Sequence, residues 1–216
     1  MTTAEHTICL VDDDPDVRDS MRALFESVGY LVKDYDSAKA FLADKNLHGH
    51  CLIADIRMPE MDGLQLQEEI VRRKLGFPVI IITGHGDVPL AVRAMKAGAV
   101  DFIEKPFDDE TMLASIRRAL EIGSKTRTEA AEAAAAERLL GLLTPRERNV
   151  LDQLVVGRSN KVAAYELGIS PRTIEIHRAH IMDKMNARSL SDLVRISLAA
   201  SRTQGNQPGA SPGGRA

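Results

Sequence analysis

The chain has 216 residues, of which 44% are hydrophobic and 4% aromatic, and it carries a net charge of −3. This length allows one large domain or two small ones, and the composition is typical of a globular protein with a mainly aliphatic core. Because no apolar run approaches the ~20 residues that cross a bilayer and the N-terminus does not resemble a signal peptide, we expect a cytoplasmic protein without membrane contact.

The first part of the chain alternates between short aliphatic or β-branched runs and stretches with helical periodicity. This alternation predicts an α/β domain with a parallel sheet and helices on both faces. Cys9 and Cys51 lie in or beside two of the runs, so we expect buried, reduced thiols. The runs lie near 7–11, 31–35, 51–54, 79–82 and 100–103, and the helical stretches at 15–28, 37–45, 63–74, 87–97 and 108–121.

An alanine- and glutamate-rich segment follows, over residues 123–143. Its composition favours helix but leaves few side chains to bury, so we interpret it as a linker that is helical or partly helical. The alternative is a flexible tether.

The C-terminal part contains four helical patterns and no strand pattern. Thr144 and Glu147 have the spacing of a capping box, and Ser170-Pro171 is a second helix start. Glycine and proline fill 6 of the last 14 positions, which predicts disorder. We therefore expect four segments: a domain over 1–122, the linker over 123–143, a separate all-α domain over 144–202 and a tail over 203–216.

Polar side chains follow four of the five predicted strands. Carboxyl ends of parallel strands meet at one edge of a sheet, so these groups should converge there, although a single Asp at such a position is often only a turn former. Three carboxylates suit Mg²⁺, with Mn²⁺ as a substitute, and a lysine and a hydroxyl can hold a phosphoryl group. A carboxylate can also attack phosphorus, so the edge is suited to accept a phosphoryl group. The residues are Asp12, Asp13, Asp55, Thr83 and Lys105.

The motifs VDDDP, DIRMPEMDG, ITGHG and FIEKPF resemble the receiver domain of two-component response regulators. The spacings of 43, 28 and 22 residues between Asp12, Asp55, Thr83 and Lys105 match that family. The resemblance implies a flavodoxin-like five-stranded (βα)5 fold with strand order 2-1-3-4-5, and phosphorylation of Asp55 by a sensor histidine kinase. It also implies Mg²⁺ held by Asp12, Asp13, Asp55 and the backbone carbonyl of Arg57.

The same resemblance implies a switch that runs from the phosphorylation pocket to a dimer face. The switch residues are Thr83 and Phe102, where many receivers have Tyr, and Lys105-Pro106 is expected to be a cis peptide. Dimerisation is expected at about 88–102, through Val88, Val92, Lys96, Val100 and Phe102. The run TGHGDVPLAVRAMKAGAVDFIEKPF is similar to nitrogen-fixation regulators of the FixJ type.

The second and third helices of the C-terminal part read as a helix-turn-helix motif. Residues 144–202 contain 10 basic and 6 acidic residues, whereas residues 1–122 contain 14 and 22. The third helix should turn Ile174, His177, Ile181 and Met185 to the core and leave its opposite side to read bases in the major groove. The candidate DNA-binding residues are Lys161, Arg172, Thr173, Glu175, Arg178, Ala179 and Lys184.

Residues 142–200 are similar to the LuxR/FixJ-type DNA-binding domain, in which the fourth helix, here about 190–200, dimerises. The two resemblances together imply a phosphorylation-controlled transcription activator for nitrogen-fixation or low-oxygen genes, not an enzyme. Its implied partners are a FixL-like histidine kinase, promoter DNA, RNA polymerase and, once phosphorylated, a second copy of the chain; otherwise it is a monomer.

Alternatives remain open at this point. A haloacid-dehalogenase-type phosphatase also uses a strand-end Asp and Mg²⁺, but Asp16 stands where that motif requires Thr or Val. A receiver that acts without phosphorylation and a helical protein-interaction bundle are further alternatives. We also hypothesise that the acidic domain masks the basic one before phosphorylation.

Overall fold

The computed structural model describes residues 6–85 and 88–204, with side chains as far as Ser201. Its N-terminal part contains a parallel five-stranded sheet in the order β2-β1-β3-β4-β5, as predicted. All four neighbouring pairs are parallel. The strands are β1 (Thr7–Val11), β2 (Leu31–Tyr35), β3 (Cys51–Asp55), β4 (Val79–Thr83) and β5 (Asp101–Glu104).

A helix follows each strand of the sheet. Asp14 caps the first of them by accepting a hydrogen bond from the backbone N–H of Asp16, and Pro15 is its first residue. Asp62 and Gln65 form a capping box at the third. The helices are α1 (Pro15–Ser27), α2 (Ala38–Ala43), α3 (Gly63–Arg72), α4 (Val88–Lys96) and α5 (Asp109–Gly141).

The core of the sheet has two layers because alternate residues of each strand face opposite sides. Cys9, Leu52 and Ile81 belong to the layer under α2, α3 and α4. Ile8, Ile53 and Ile80 belong to the layer under α1 and α5. Cys9 and Cys51 are buried free thiols, in agreement with the sequence.

Helix α5 is far longer than the predicted helix over 108–121. It continues through the alanine- and glutamate-rich segment to Gly141, so the helical alternative for residues 123–141 is the one observed. The chain divides into two compact units with the boundary between Arg127 and Thr128, inside this helix.

The described part of the second unit, as far as residue 204, contains four further helices, and Leu143, Val150, Leu154, Ile174 and Ile181 contribute to its core. Most of the predicted tail, residues 205–216, lies outside the described residues. Within the described ranges, none of the helices combines the length and apolar character that a membrane span requires. The four helices are α6 (Pro145–Val155), α7 (Asn160–Leu167), α8 (Pro171–Lys184) and α9 (Leu190–Gln204).

Candidate functional site

Strand register places the predicted acidic and basic residues at one edge of the sheet. Val11 pairs with Ala54, so the residues that follow them, Asp12 and Asp55, are neighbours. Thr83 pairs with Glu104, the residue before Lys105. The convergence expected from the strand ends is therefore a direct consequence of the register.

Lys105 joins the two buried carboxylates of this edge. Its Nζ lies 2.7 Å from Asp12 Oδ2 and 2.8 Å from Asp55 Oδ1. Asp12 is 1% exposed and Asp55 is 6% exposed, whereas Asp13 is exposed to solvent. Burial lowers the pKa of Lys105, but the hydrogen bonds and charges of the two carboxylates outweigh it and raise the pKa overall. The lysine therefore stays a cation that offsets the carboxylate repulsion.

Backbone amides orient the remaining carboxylate oxygens. The N–H of Arg57 donates to Asp55 Oδ2 at 2.6 Å, and the N–H of Asp14 donates to Asp12 Oδ1 at 2.9 Å. Gly63 packs so closely behind Asp55 that a Cβ at this position would lie 2.2 Å from the Asp55 carbonyl oxygen. The Asp55 carboxylate is thus held in place from its side chain and from its backbone.

The two predicted switch residues lie on neighbouring strands: Thr83 is the last residue of β4, and Phe102 is the second residue of β5. Thr83 is fully buried, and its hydroxyl donates to the carbonyl of His85 at 3.1 Å. Phe102 is half-buried against the core layer under α4. The Lys105-Pro106 peptide is cis, as the resemblance implied.

The oxygen donors at this edge fit a hard divalent cation. Asp12 and Asp55 are adjacent carboxylates, and such cations prefer carboxylate, carbonyl and water oxygens. Nevertheless, no group of three His, Cys, Asp or Glu side chains within residues 6–85 and 88–204 is arranged as a ready metal site. Asp12, Asp55 and the Arg57 carbonyl would hold the cation, and Asp13 is a further candidate.

An outward face of α4 carries the predicted receiver contacts. Val88 is 76% exposed and Val92 is 45% exposed, while Val100 is half-buried. Lys96 is exposed at the end of the helix. Met95 is 48% exposed and continues the spacing from Val88 and Val92, so it belongs to the same outward face, although it is not among the predicted contacts.

Helices α7 and α8 form the predicted helix-turn-helix. Gly168 ends α7 with a φ of 64°, and Ser170 caps α8 by accepting from the backbone N–H of Thr173. Arg146 at the start of α6 donates to the carbonyl of Leu167 at 2.8 Å, which ties α6 to the end of α7. The turn is thus fixed by a left-handed glycine, a cap and a side-chain bond.

The outward side of α8 is largely as predicted. Arg172, Glu175 and Ala179 are exposed, as is Lys161 on α7, whereas Ile174 and Ile181 are buried. Thr173 and Arg178 are half-buried at the edges. Ile176 is 50% exposed in the middle of this side, where its helical spacing also places it, although it is not among the candidate DNA-binding residues.

Lys184, at the end of α8, is paired with a buried carboxylate. Its Nζ lies 2.7 Å from Glu147 Oε2, an oxygen that also accepts from the backbone N–H of Thr144 at 2.8 Å. The pairing with Lys184, together with the backbone bond, lowers the pKa of Glu147 to about 2. The sequence predicted the capping box but not this link between α6 and α8, and Lys184 as a DNA contact stays a prediction.

Known families match both halves of the chain. Residues 8–145 match the family described as "Response regulator receiver domain", and residues 141–197 match "Bacterial regulatory proteins, luxR family". The chain is a response regulator. As in that family, it combines a phosphoryl-accepting receiver, which works with a divalent cation and a sensor histidine kinase, with a DNA-binding domain, and it is a transcription factor rather than a classical enzyme.

Named relatives of this response regulator cover nearly its whole length. The transcriptional regulatory protein FixJ of Bradyrhizobium diazoefficiens is 48% identical over 93% of this chain and 98% of its own. The response regulator TodT of Pseudomonas putida strain F1 is 41% identical over 91% and 87%. Relatives with different names are therefore similar to this chain to nearly the same degree.

Solved structures agree with this assignment. The response regulator StyR is 41% identical, with a TM-score of 0.78 over 89% of this chain and 98% of its own. Full-length FixJ from B. japonicum is 45% identical, with a TM-score of 0.57 over 93% and 99%.

Proposed function

We propose that the response regulator is phosphorylated on Asp55 by a sensor histidine kinase, dimerises and then activates transcription from promoter DNA. The observation that carries this proposal is the arrangement of Asp12, Asp55 and Lys105, in which one ammonium group bridges two buried carboxylates at 2.7 and 2.8 Å. We also propose that it acts in the cytoplasm, where a kinase and a promoter are both accessible.

The proposed chemistry is transfer of a phosphoryl group between two side chains. A carboxylate oxygen of Asp55 attacks the phosphorus of a phosphohistidine, and a P–O bond forms as the P–N bond breaks. The freed imidazole nitrogen of the kinase histidine takes a proton from water and leaves as neutral imidazole. Lys105 remains protonated and holds a phosphoryl oxygen, since its pKa is raised. We assign Mg²⁺ to Asp12, Asp13, Asp55 and the Arg57 carbonyl, with Mn²⁺ as a substitute; when bound, the cation offsets negative charge on the phosphoryl oxygens.

The proposed response begins at Thr83, the residue of β4 nearest the pocket. In the unphosphorylated chain the Thr83 hydroxyl donates to the His85 carbonyl, and a phosphoryl oxygen on Asp55 would offer this hydroxyl a charged acceptor instead. Movement of Thr83, together with Phe102, would then be passed to α4. We propose that the chain is a monomer until it is phosphorylated. The proposed receiver contacts in the phosphorylated dimer are Val88, Val92, Lys96, Val100 and Phe102.

The proposed DNA contacts lie on α7 and α8. Arg172, Glu175 and Ala179 project from the exposed side of α8 and would meet base edges, with Thr173 and Arg178 at its margins. Lys161 and Lys184 are the proposed phosphate contacts. The exposed Leu190 and Leu198 support pairing of two copies through α9, which suits a DNA site with two-fold symmetry.

The identity of the regulated genes is the most specific part of the proposal. The FixJ similarity supports nitrogen-fixation or low-oxygen genes and a FixL-like kinase, with RNA polymerase as the final partner. The TodT relative is 41% identical against 48% for FixJ, so this assignment rests on a difference of seven percentage points of identity.

DNA selection tests the proposal directly. The full chain is incubated with acetyl phosphate and Mg²⁺, and sequences are selected from a random duplex pool; the same selection is made without acetyl phosphate and with Arg172→Ala. We expect a two-fold symmetric consensus with the phosphorylated wild type, about tenfold or more weaker binding for Arg172→Ala on that consensus, and weak binding without phosphorylation. Enrichment that is equal with and without acetyl phosphate would contradict phosphorylation control.

A further inference from the structure

Two consecutive residues of α3 are bonded to two consecutive residues of α4. Gln67 Nε2 donates to the backbone carbonyl of Ala94 at 3.1 Å, and Arg93 pairs with Glu68 at 2.9 Å. We call these four residues the α3–α4 clamp. Gln67 is 1% exposed and Ala94 is fully buried, whereas the side chains of Glu68 and Arg93 are more than half exposed. The inner bond is thus shielded from water and the outer pair is not.

The carbonyl that Gln67 binds is also the one that ends α4. The N–H of Ala99 donates to the Ala94 carbonyl at 3.0 Å, and Gly98 has a φ of 91°. This closure is a Schellman motif, which stops a helix at a left-handed glycine. Because a carbonyl oxygen has two lone pairs, it can accept from Gln67 as well. Gln67 therefore fixes the C-terminal end of α4 to α3.

The other half of the Gln67 amide is unsatisfied. Its Oε1 is buried and has no hydrogen-bond partner among the described residues. Buried polar atoms are nearly always hydrogen-bonded, and leucine would fill a similar volume without leaving an unpaired acceptor. The amide is thus a poor choice for packing alone, which favours a positional role for its donating half.

The clamp lies on the opposite side of α4 from the proposed dimer contacts. Ala94 is fully buried, while Val88, Val92 and Met95 are exposed along the outward side. The clamp holds the inward side of α4 against α3. Because a helix is rigid, this also fixes the position of the outward side of α4. Any displacement of α4 away from α3 must break the Gln67 bond and the Glu68–Arg93 pair.

We infer that the α3–α4 clamp restrains α4 in the unphosphorylated chain, and that Gln67 is the positioning residue that delays dimerisation until Asp55 is phosphorylated. This inference rests on the proposed function, in which α4 carries the dimer contact. The Gln67 bond contributes more than the Glu68–Arg93 pair because exposed ion pairs are weakened by solvent and salt.

Three substitutions on α3 test the inference without changing any side chain of α4. Gln67→Leu removes the inner bond together with the unpaired acceptor, so the variant should fold. Glu68→Gln removes the outer pair. Glu69→Gln is the matched control, because Glu69 pairs with Arg72, the last residue of α3, and with Arg73 directly after it, at 2.6 and 2.9 Å.

The first readout is amide hydrogen exchange at the end of α4. In Gln67→Leu, we expect the Ala99 amide and its neighbours to exchange about fivefold faster, which is the effect of one hydrogen bond on an opening equilibrium. Glu68→Gln should give a smaller increase, and Glu69→Gln none. Unchanged exchange in Gln67→Leu overturns the inference, whatever the dimerisation result.

The second readout is sedimentation of the full chain, with and without beryllofluoride and Mg²⁺ as a phosphoryl analogue. Without the analogue, Gln67→Leu should dimerise about fivefold more tightly than wild type, and Glu69→Gln should match wild type. Dimerisation that is unchanged or weakened in Gln67→Leu overturns the inference. If wild type stays monomeric with the analogue, the proposed function fails, and the exchange data alone decide whether the clamp holds α4.

Discussion

Replacement of Glu147 tests how the recognition helix α8 is held. Three donors converge on its Oε2: the N–H and the hydroxyl of Thr144, at 2.8 and 2.9 Å, and Lys184 Nζ at 2.7 Å. The residue is 3% exposed, so these bonds replace nearly all of its contact with water. Glu147 therefore joins the first turn of α6 to the last turn of α8.

The two substitutions Glu147→Gln and Glu147→Ala should differ in a defined way. Glutamine keeps an acceptor oxygen and loses only the charge, which we expect to cost about 1 kcal/mol, the difference between a charged and a neutral hydrogen bond. Alanine leaves Lys184 and the Thr144 N–H unpaired. Because removing one partner of a fully buried pair costs about 3–5 kcal/mol and Lys184 is partly exposed, we expect about 2–3 kcal/mol for alanine.

Hydrogen exchange of the full chain measures these costs within the second unit. The opening free energies of amides in α6 and α8 should fall in the order wild type, Glu147→Gln, Glu147→Ala, while amides in β1 and β3 stay unchanged. A value for Glu147→Ala within 0.5 kcal/mol of wild type, or equal losses for the two variants, would refute the account of this carboxylate.

The stabilisation from Glu147 should also depend on pH. Because the pKa of Glu147 in the folded chain is about 2 and lies below the usual value, its contribution to stability is complete above about pH 4.5 and disappears toward pH 2. The wild-type advantage over Glu147→Gln should therefore shrink between pH 5 and pH 2.5.

Two further predictions concern the receiver. In Gly63→Ala, the new Cβ would lie 2.2 Å from the Asp55 carbonyl oxygen, a backbone atom that cannot move freely, so we expect about 1–3 kcal/mol of destabilisation in thermal unfolding and less phosphoryl uptake. Gly84→Ala is the control, because its Cβ would meet nothing within 4 Å; equal effects of the two substitutions would argue against the close approach. His50 Nδ1 accepts a hydrogen bond from the N–H of Thr7. Burial lowers the His50 pKa, and the charges of Arg127, His6 and His48 lower it further. The neutral ring therefore stabilises the fold at neutral pH, and this contribution falls as the pH drops below about 6.5. His50→Asn keeps an acceptor at the same place without titrating, so its urea stability should fall less than that of wild type from pH 7.5 to 5.5, and parallel pH profiles would disprove the role of His50.

The sequence was sufficient to predict the parallel sheet and to place the polar residues at one of its edges. Asp12, Asp55, Thr83 and Lys105 each follow or end an apolar run, and parallel register alone brings such positions together. The capping box of Thr144 and Glu147 was also predicted from the sequence, because its two residues are three positions apart. Local patterns with a fixed spacing were thus recovered well.

Features that depend on distant partners were not predictable. Glu147 and Lys184 are 37 residues apart, and nothing in either local pattern indicates that they pair. Gln67 occupies a buried position of the α3 pattern, but only the packed structure gives its donor a partner on α4. The full extent of α5 was missed for another reason: its alanine-rich half has strong helix propensity but a weak apolar face, so the sequence left its conformation open.

The most direct test of the central claim is the intact mass of the full chain after treatment with acetyl phosphate and Mg²⁺, for wild type and Asp55→Asn. Native mass spectra of the same samples report assembly. We expect one phosphoryl group on wild type only, together with a shift from monomer to dimer, since the Asp55 carboxylate is the proposed nucleophile beside Lys105. No phosphoryl gain in wild type, or equal gain in both proteins, would contradict Asp55 as the acceptor and phosphorylation as the control of this response regulator.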